Sequence, residues 1–253
     1  VQKAGKLTVA TSPDFPPFES LEGGEVVGIE PDIMKLICDK LGVELEVVQM
    51  DFDSVLIGIQ AAKYDCAMSG ITVTPDRQKN MLFTKPYYNA AQVIVVKEGS
   101  PITGKADLSG KTVSVQTGTT AESGCQDEGI AIQAFNANAD AKSALTTGKV
   151  DAWVVDNLTA LQMVEDGEGL VILNEKLTEE PYAFAFAFGS SAFASRRFRM
   201  LRTRSRISCS PSSKRLSWTG SRISREKSVF SKSGCSSMAT NMVGTPWKAV
   251  MCS

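Results

Sequence analysis

The chain has 253 residues, 27 Lys+Arg against 28 Asp+Glu, six cysteines and no histidine. At 43% apolar and 22% charged it reads as soluble globular protein, more often two domains than one at this length. No run of about 18 apolar residues offers a membrane span. The missing histidine excludes Ser-His-Asp and Cys-His chemistry, and without histidine or a CxxC motif a zinc site is not expected. No cofactor is expected either. Val1 is not an initiator Met, so the start reads as trimmed and a signal peptide as removed.

The near-neutral total hides a break. Residues 1–189 carry 14 Lys+Arg and 27 Asp+Glu, and residues 190–253 carry 13 Lys+Arg and a single acid, Glu226.

In chain order, Lys6–Thr11 alternates as a strand and is followed by a Pro-rich loop, Ser12–Phe18. In Pro31–Leu41, Ile33, Leu36, Ile37 and Leu41 fall on one helical face, and Gly42 stops the helix. Val43–Met50 reads as a strand, Val55–Ala62 as a helix and Cys66–Ser69 as a short strand. Thr74 is an N-cap with Pro75 at the first helical position. Gln92–Val96 is an apolar strand, long enough to cross between domains. The pattern then restarts. Gly5-Lys-Leu-Thr-Val-Ala-Thr is matched by Gly110-Lys-Thr-Val-Ser-Val-Gln, and the stretch 62–70 by 148–156. Two α/β lobes of one design follow, with a ligand cleft beyond their strand ends. Cys38, Cys66 and Cys125 sit in apolar or small-residue surroundings and read as buried free thiols.

Those strand ends carry chemistry. Arg77 lies in the first turn after Thr74, where a cation opposes the helix dipole. It is either a surface residue or the grip on an anion such as a carboxylate. Asp156 follows an apolar run, and it either caps the helix starting at Asn157 or meets an ammonium group. Phe15 and Phe52 read as core packing or as walls of a pocket. Thr117-Gly-Thr-Thr120 repeats the strand–Gly–Thr–helix arrangement in the second lobe. Arg77, Asp156 and Phe15 together describe an α-amino acid pocket.

Residues 5–189 resemble the bacterial extracytoplasmic solute-binding proteins, family 3, of polar amino acid ABC uptake systems. Pro17-Phe-Glu-Ser, Gly28-Ile-Glu-Pro-Asp-Ile, Met50-Asp-Phe-Asp, Asp65 to Arg77, Phe83-Thr-Lys-Pro-Tyr-Tyr, Asp107-Leu-Ser-Gly-Lys and Gly118-Thr-Thr carry the resemblance. It implies a periplasmic-binding-protein-like, type II fold of two hinged lobes: residues 1–91, and 92–187 including the crossing strands. By resemblance Arg77, with the backbone of Thr72 and Thr120, holds the α-carboxylate. Asp156, Gly70 and Thr72 hold the α-ammonium, Phe15 and Phe52 line the side-chain pocket, and Ser12, Glu30, Ser69 and Thr117 are side-chain or supporting candidates. Ser12 stands where several members with cationic ligands carry an aspartate, and neither Ser12 nor Thr117 supplies a cation. A neutral, glutamine-like amino acid is the expected ligand. The implied partners are a free L-amino acid and an importer permease, with no nucleic acid. The implied protein is a monomer, periplasmic or lipid-anchored at the cell surface. A dehydratase on the same scaffold, with Glu19 or Glu30 as general acid, and a receptor sensor fragment are the rival functions.

Residues 188–253 fall where the end of the first lobe is expected, but the segment from 190 on is rich in Ser and Arg. A shifted reading frame, a disordered basic tail and a nucleic-acid or membrane patch are the three readings.

Overall fold

The structure, a computed structural model, describes residues 1, 4–165, 167 and 169–188. The three readings of the basic tail, and Cys209, Cys235 and Cys252, lie outside these residues. Two five-stranded mixed sheets organise the rest. The first has the order Glu44–Gln49, Lys6–Thr11, Cys66–Ala67, Ala185–Phe186, Leu82–Phe83. The second has the order Ala131–Phe135, Thr112–Gln116, Ala152–Asp156, Gln92–Lys97, Leu170–Ile172. In each sheet three parallel strands are followed by an antiparallel one. Lys6–Thr11 and Thr112–Gln116, paired above by sequence, hold the same place in the two sheets.

The chain crosses between the halves at Tyr88–Ala90 and returns at Glu180–Tyr182, and these two segments form a short antiparallel ladder. The crossing segment therefore ends two residues before the expected Gln92–Val96 begins. That segment lies wholly within the second sheet, paired on both edges. Its residues are buried on both faces: Val93 and Val95 join one apolar cluster, Ile94 and Val96 another. A strand covered on both sides reads as an unbroken apolar run, which explains why it resembles a linker crossing a core.

Local sequence accounts for the first half. Helix Ile29–Leu41 buries Met34 and Cys38 against Leu7, Val9 and Phe186. It ends at Gly42, whose left-handed conformation lets its N–H reach the Asp39 and Cys38 carbonyls. Cys38, Cys66 and Cys125 are buried free thiols.

The helix start is pinned to the Pro-rich loop. Ile29 N–H donates to the Pro17 carbonyl at 3.1 Å and Glu30 N–H to that of Phe18 at 3.0 Å. Such a close approach requires glycine at position 28, where φ is +134° and a Cβ would stand 2.3 Å from the Phe18 oxygen. Gly28→Ala should destabilise the protein by about 3 kcal/mol, read as a loss of several degrees in Tm, because strain and clash fall on backbone that cannot retreat.

Candidate functional site

Strand ends from both sheets meet in one cleft. Ser12, Asp14, Phe15, Phe52, Ser69, Gly70, Thr72 and Arg77 line it from the first half, and Gln116, Thr119, Thr120 and Asp156 from the second. Nine of the eleven residues given site roles above are among them, and Glu30 lies behind the cleft. Thr117 does not line it: its N–H and hydroxyl both donate to the Phe135 carbonyl, at 2.8 and 3.1 Å, which ties it to the neighbouring strand.

Arg77 sits in helix Pro75–Asn80, capped by the Thr74 hydroxyl, which accepts from Arg77 N–H at 3.2 Å. The helix is only six residues long, so Arg77 is as close to its last turn as to its first, and the dipole argument for an anion loses its force. The side-chain geometry carries the point instead. Its guanidinium donates to the Thr72 carbonyl and, across the cleft, to the Gly118 carbonyl, each at 3.0 Å. It also lies 5.6 Å from the centroid of the Phe52 ring. No ion pair among the described residues includes it. Burial holds its pKa below the ordinary arginine value, against the pull of Glu180 and Asp156.

Asp156 ends strand Ala152–Asp156 and occupies the cap position of helix Asn157–Met163, yet its side chain caps nothing. Its Oδ1 is buried without a hydrogen-bond partner. Burial pushes the carboxyl up to about 7, with Tyr182 and Arg77 pulling the other way. A buried carboxylate of this kind calls for a cation.

The remaining side chains fix the walls. The Ser69 hydroxyl accepts from Ser12 N–H at 3.1 Å, joining two strand ends. The Thr120 hydroxyl accepts from Gln92 at 2.7 Å and donates to Glu180 at 2.9 Å, leaving its backbone N–H, at the start of helix Thr120–Asp127, as what it offers the cleft. Phe15 stacks on Phe18, with centroids 5.8 Å apart.

Sequence reasoning missed Asp14, Gln116 and Thr119. Asp14 accepts from the Ser12 hydroxyl at 3.0 Å, from Asn138 N–H at 2.7 Å and from the Gln116 amide at 3.2 Å. It therefore bolts the first lobe to the second, with a further bond from Asn136 to Asp51 at 3.1 Å. Burial raises its pKa, against the pull of Asn138 N–H. In the sequence it looks like one more turn residue, and only its acidity in a Pro-rich loop at a strand end could have marked it. Among the described residues no His/Cys/Asp/Glu cluster could hold a metal ion, and no helix is long and apolar enough to cross a membrane.

The model of the bacterial extracellular solute-binding proteins, family 3, matches residues 7–203. The chain belongs to this family. It is 34% identical over 188 residues to the arginine-binding extracellular protein ArtP of Bacillus subtilis, covering 72% of this chain and 74% of that one. It is 31% identical over 186 residues to a probable histidine-binding protein of Campylobacter jejuni, covering 72% of each. Holo ArgBP from T. maritima superposes with a TM-score of 0.73 at 37% identity, over 81% of this chain and 93% of that one. An ancestral arginine-binding protein bound to glutamine superposes equally well, at 37% identity over 78% and 91%. The fold is thus the type II periplasmic-binding-protein fold. This family member is an extracytoplasmic amino acid-binding component of an ABC importer, paired with a permease, and not an enzyme.

A proton would compete with any ligand ammonium that the Asp156 carboxylate holds. As pH falls through about 7 the unliganded protein takes up the proton, so amino acid affinity should fall below that point, approaching about tenfold per pH unit. Calorimetric titration from pH 8.5 to 5.5 should show this slope, and Asp156→Asn should bind more weakly with a flatter profile.

Proposed function

We propose that this protein captures a cationic L-amino acid, arginine first, outside the cytoplasmic membrane and presents it to its permease. The supporting observation is the charge in the cleft. Asp14 and Asp156 line it against a single cation, Arg77. The α-carboxylate of an amino acid would meet Arg77 and its α-ammonium Asp156. That leaves the Asp14 carboxylate, which is costly to bury beside a neutral side chain and is compensated by a guanidinium. The sequence pointed to a glutamine-like ligand because Ser12 is not acidic. The Ser12 hydroxyl instead donates to Asp14, so in this reading Ser12 holds the acid rather than replacing it. Thr72, Gly70 and Thr120 contribute backbone groups, and Phe15 and Phe52 flank the aliphatic stem.

The names of the relatives lean the same way, since arginine-binding proteins of Bacillus subtilis and Escherichia coli are among them. Glutamine is the second reading, favoured by the ancestral arginine-binding protein whose structure holds it. The proposal takes the protein as a monomer with no nucleic-acid partner, free or lipid-tethered.

Ligand-stripped protein titrated with arginine, lysine, histidine, glutamine and glutamate should bind arginine most tightly, and glutamine equalling it would overturn the reading. Asp14→Asn should weaken arginine by about thirtyfold, as breaking a buried charge pair costs about 2 kcal/mol or more. Glutamine should change by no more than about threefold in the same variant, because it loses no charge partner.

A further inference from the structure

Gly70 faces the cleft with backbone alone. Its φ is +52°, and a Cβ there would stand 2.6 Å from the Phe15 ring. Its position is set from behind. Gly70 N–H donates to Glu30 Oε2 at 3.2 Å, and the Tyr87 hydroxyl donates to Glu30 Oε1. Glu30 is 0% exposed and lies in the first turn of the thirteen-residue helix Ile29–Leu41, where the dipole favours a negative charge.

Glu19, also 0% exposed, packs against Glu30, and its oxygens make no well-formed hydrogen bond among the described residues, the Ser69 hydroxyl being the donor nearest to serving them. Two carboxyls in contact and out of water do not both ionise. The donors decide which one keeps the proton. Glu30 receives the Gly70 N–H and the Tyr87 hydroxyl and carries the charge, whereas Glu19 has only the Ser69 hydroxyl to draw its pKa down, against burial and Glu30, which push it well up. The proton on Glu19 then supplies an O–H to Glu30. The Cys66 thiol nearby is pushed well above its ordinary value by burial and by Glu30, and stays neutral.

We propose that Glu30 is a positioning residue of the amino acid site: a buried carboxylate gripped by Tyr87 and Glu19 that fixes the Gly70 peptide and the cleft-facing edge of residues 69–72. The assignment rests on the reading of the cleft as an amino acid site. It also gives the two glutamates opposite tolerances, although both are equally buried.

The test uses the full chain, stripped of ligand, with Gly70 amide exchange read by NMR and arginine affinity by calorimetry. Glu30→Gln should speed Gly70 exchange by at least about tenfold and weaken arginine by about tenfold, the loss expected for a hydrogen bond to a charged group. Glu19→Gln should leave both within about threefold, because an amide N–H donates where the carboxyl O–H did. Tyr87→Phe removes one donor from Glu30 and should move both readouts in the same direction by about two- to fivefold, and it decides the matter if Glu30→Gln does not fold. Equal damage from Glu19→Gln and Glu30→Gln, with matching losses in Tm, would show a merely structural pair and overturn the proposal. Unchanged Gly70 exchange in Glu30→Gln overturns the anchor alone. Failure of the wild-type protein to bind any amino acid overturns the function and, with it, the role given to Glu30.

Discussion

Tyr182 lies in the three-residue ladder that joins the two halves, and most of the cleft hangs from that ladder. Its ring is fully buried among Phe15, Phe18, Tyr87 and Tyr88, with centroids 5.0 to 6.4 Å away. The backbone on either side of it holds the segment that carries Thr72: Val73 N–H donates to the Pro181 carbonyl and Ala183 N–H to that of Ile71. Glu180, one residue before Pro181, accepts from the Thr120 hydroxyl of the second half. A shift of this ladder would move the wall that carries Thr72, the aromatic wall and the start of the opposing helix together. That is the property a hinge needs if the two lobes are to close on one ligand.

Charge organises what the hinge brings together. Every acid in or behind the cleft faces a different compensation. Asp14 is hydrogen-bonded by two amides and a hydroxyl but is in no ion pair among the described residues, Glu30 is held by a backbone N–H and a phenol, and Glu19 by its proton. Of the acids that line the cleft, Asp156 keeps a buried oxygen with no hydrogen-bond donor among the described residues. The ordering follows from the cost of an unpaired buried charge. The acids behind the cleft are compensated within the protein, whereas the two that line it, Asp14 and Asp156, keep a demand for positive charge.

Much of this could be read from the chain. Lys6–Thr11, helix Ile29–Leu41 and the Thr74 cap were legible because period, branching and capping chemistry are local. The recurrence of residues 5–11 at 110–116 was legible for the same reason, and it anticipated the matched sheet order. Arg77 and Asp156 were picked out as charged residues at strand ends. Arg77 does line the cleft, but the dipole reasoning that pointed to it fails, since a helix of six residues has little dipole to oppose. Thr117 and Asp14 show the complementary failure. Both are polar residues at strand ends, and nothing local says that one turns back to its neighbouring strand while the other spans the seam.

Periodicity and motif order alone are enough for two α/β lobes, a cleft at their strand ends and a pocket for a zwitterion, because each depends on neighbours within a few residues. The crossing point, the bolt from Asp14 to Asn138 and the division of roles between Glu19 and Glu30 arise only on folding. They join residues 11 to 124 positions apart, and their energies depend on removal from water, which no local pattern encodes.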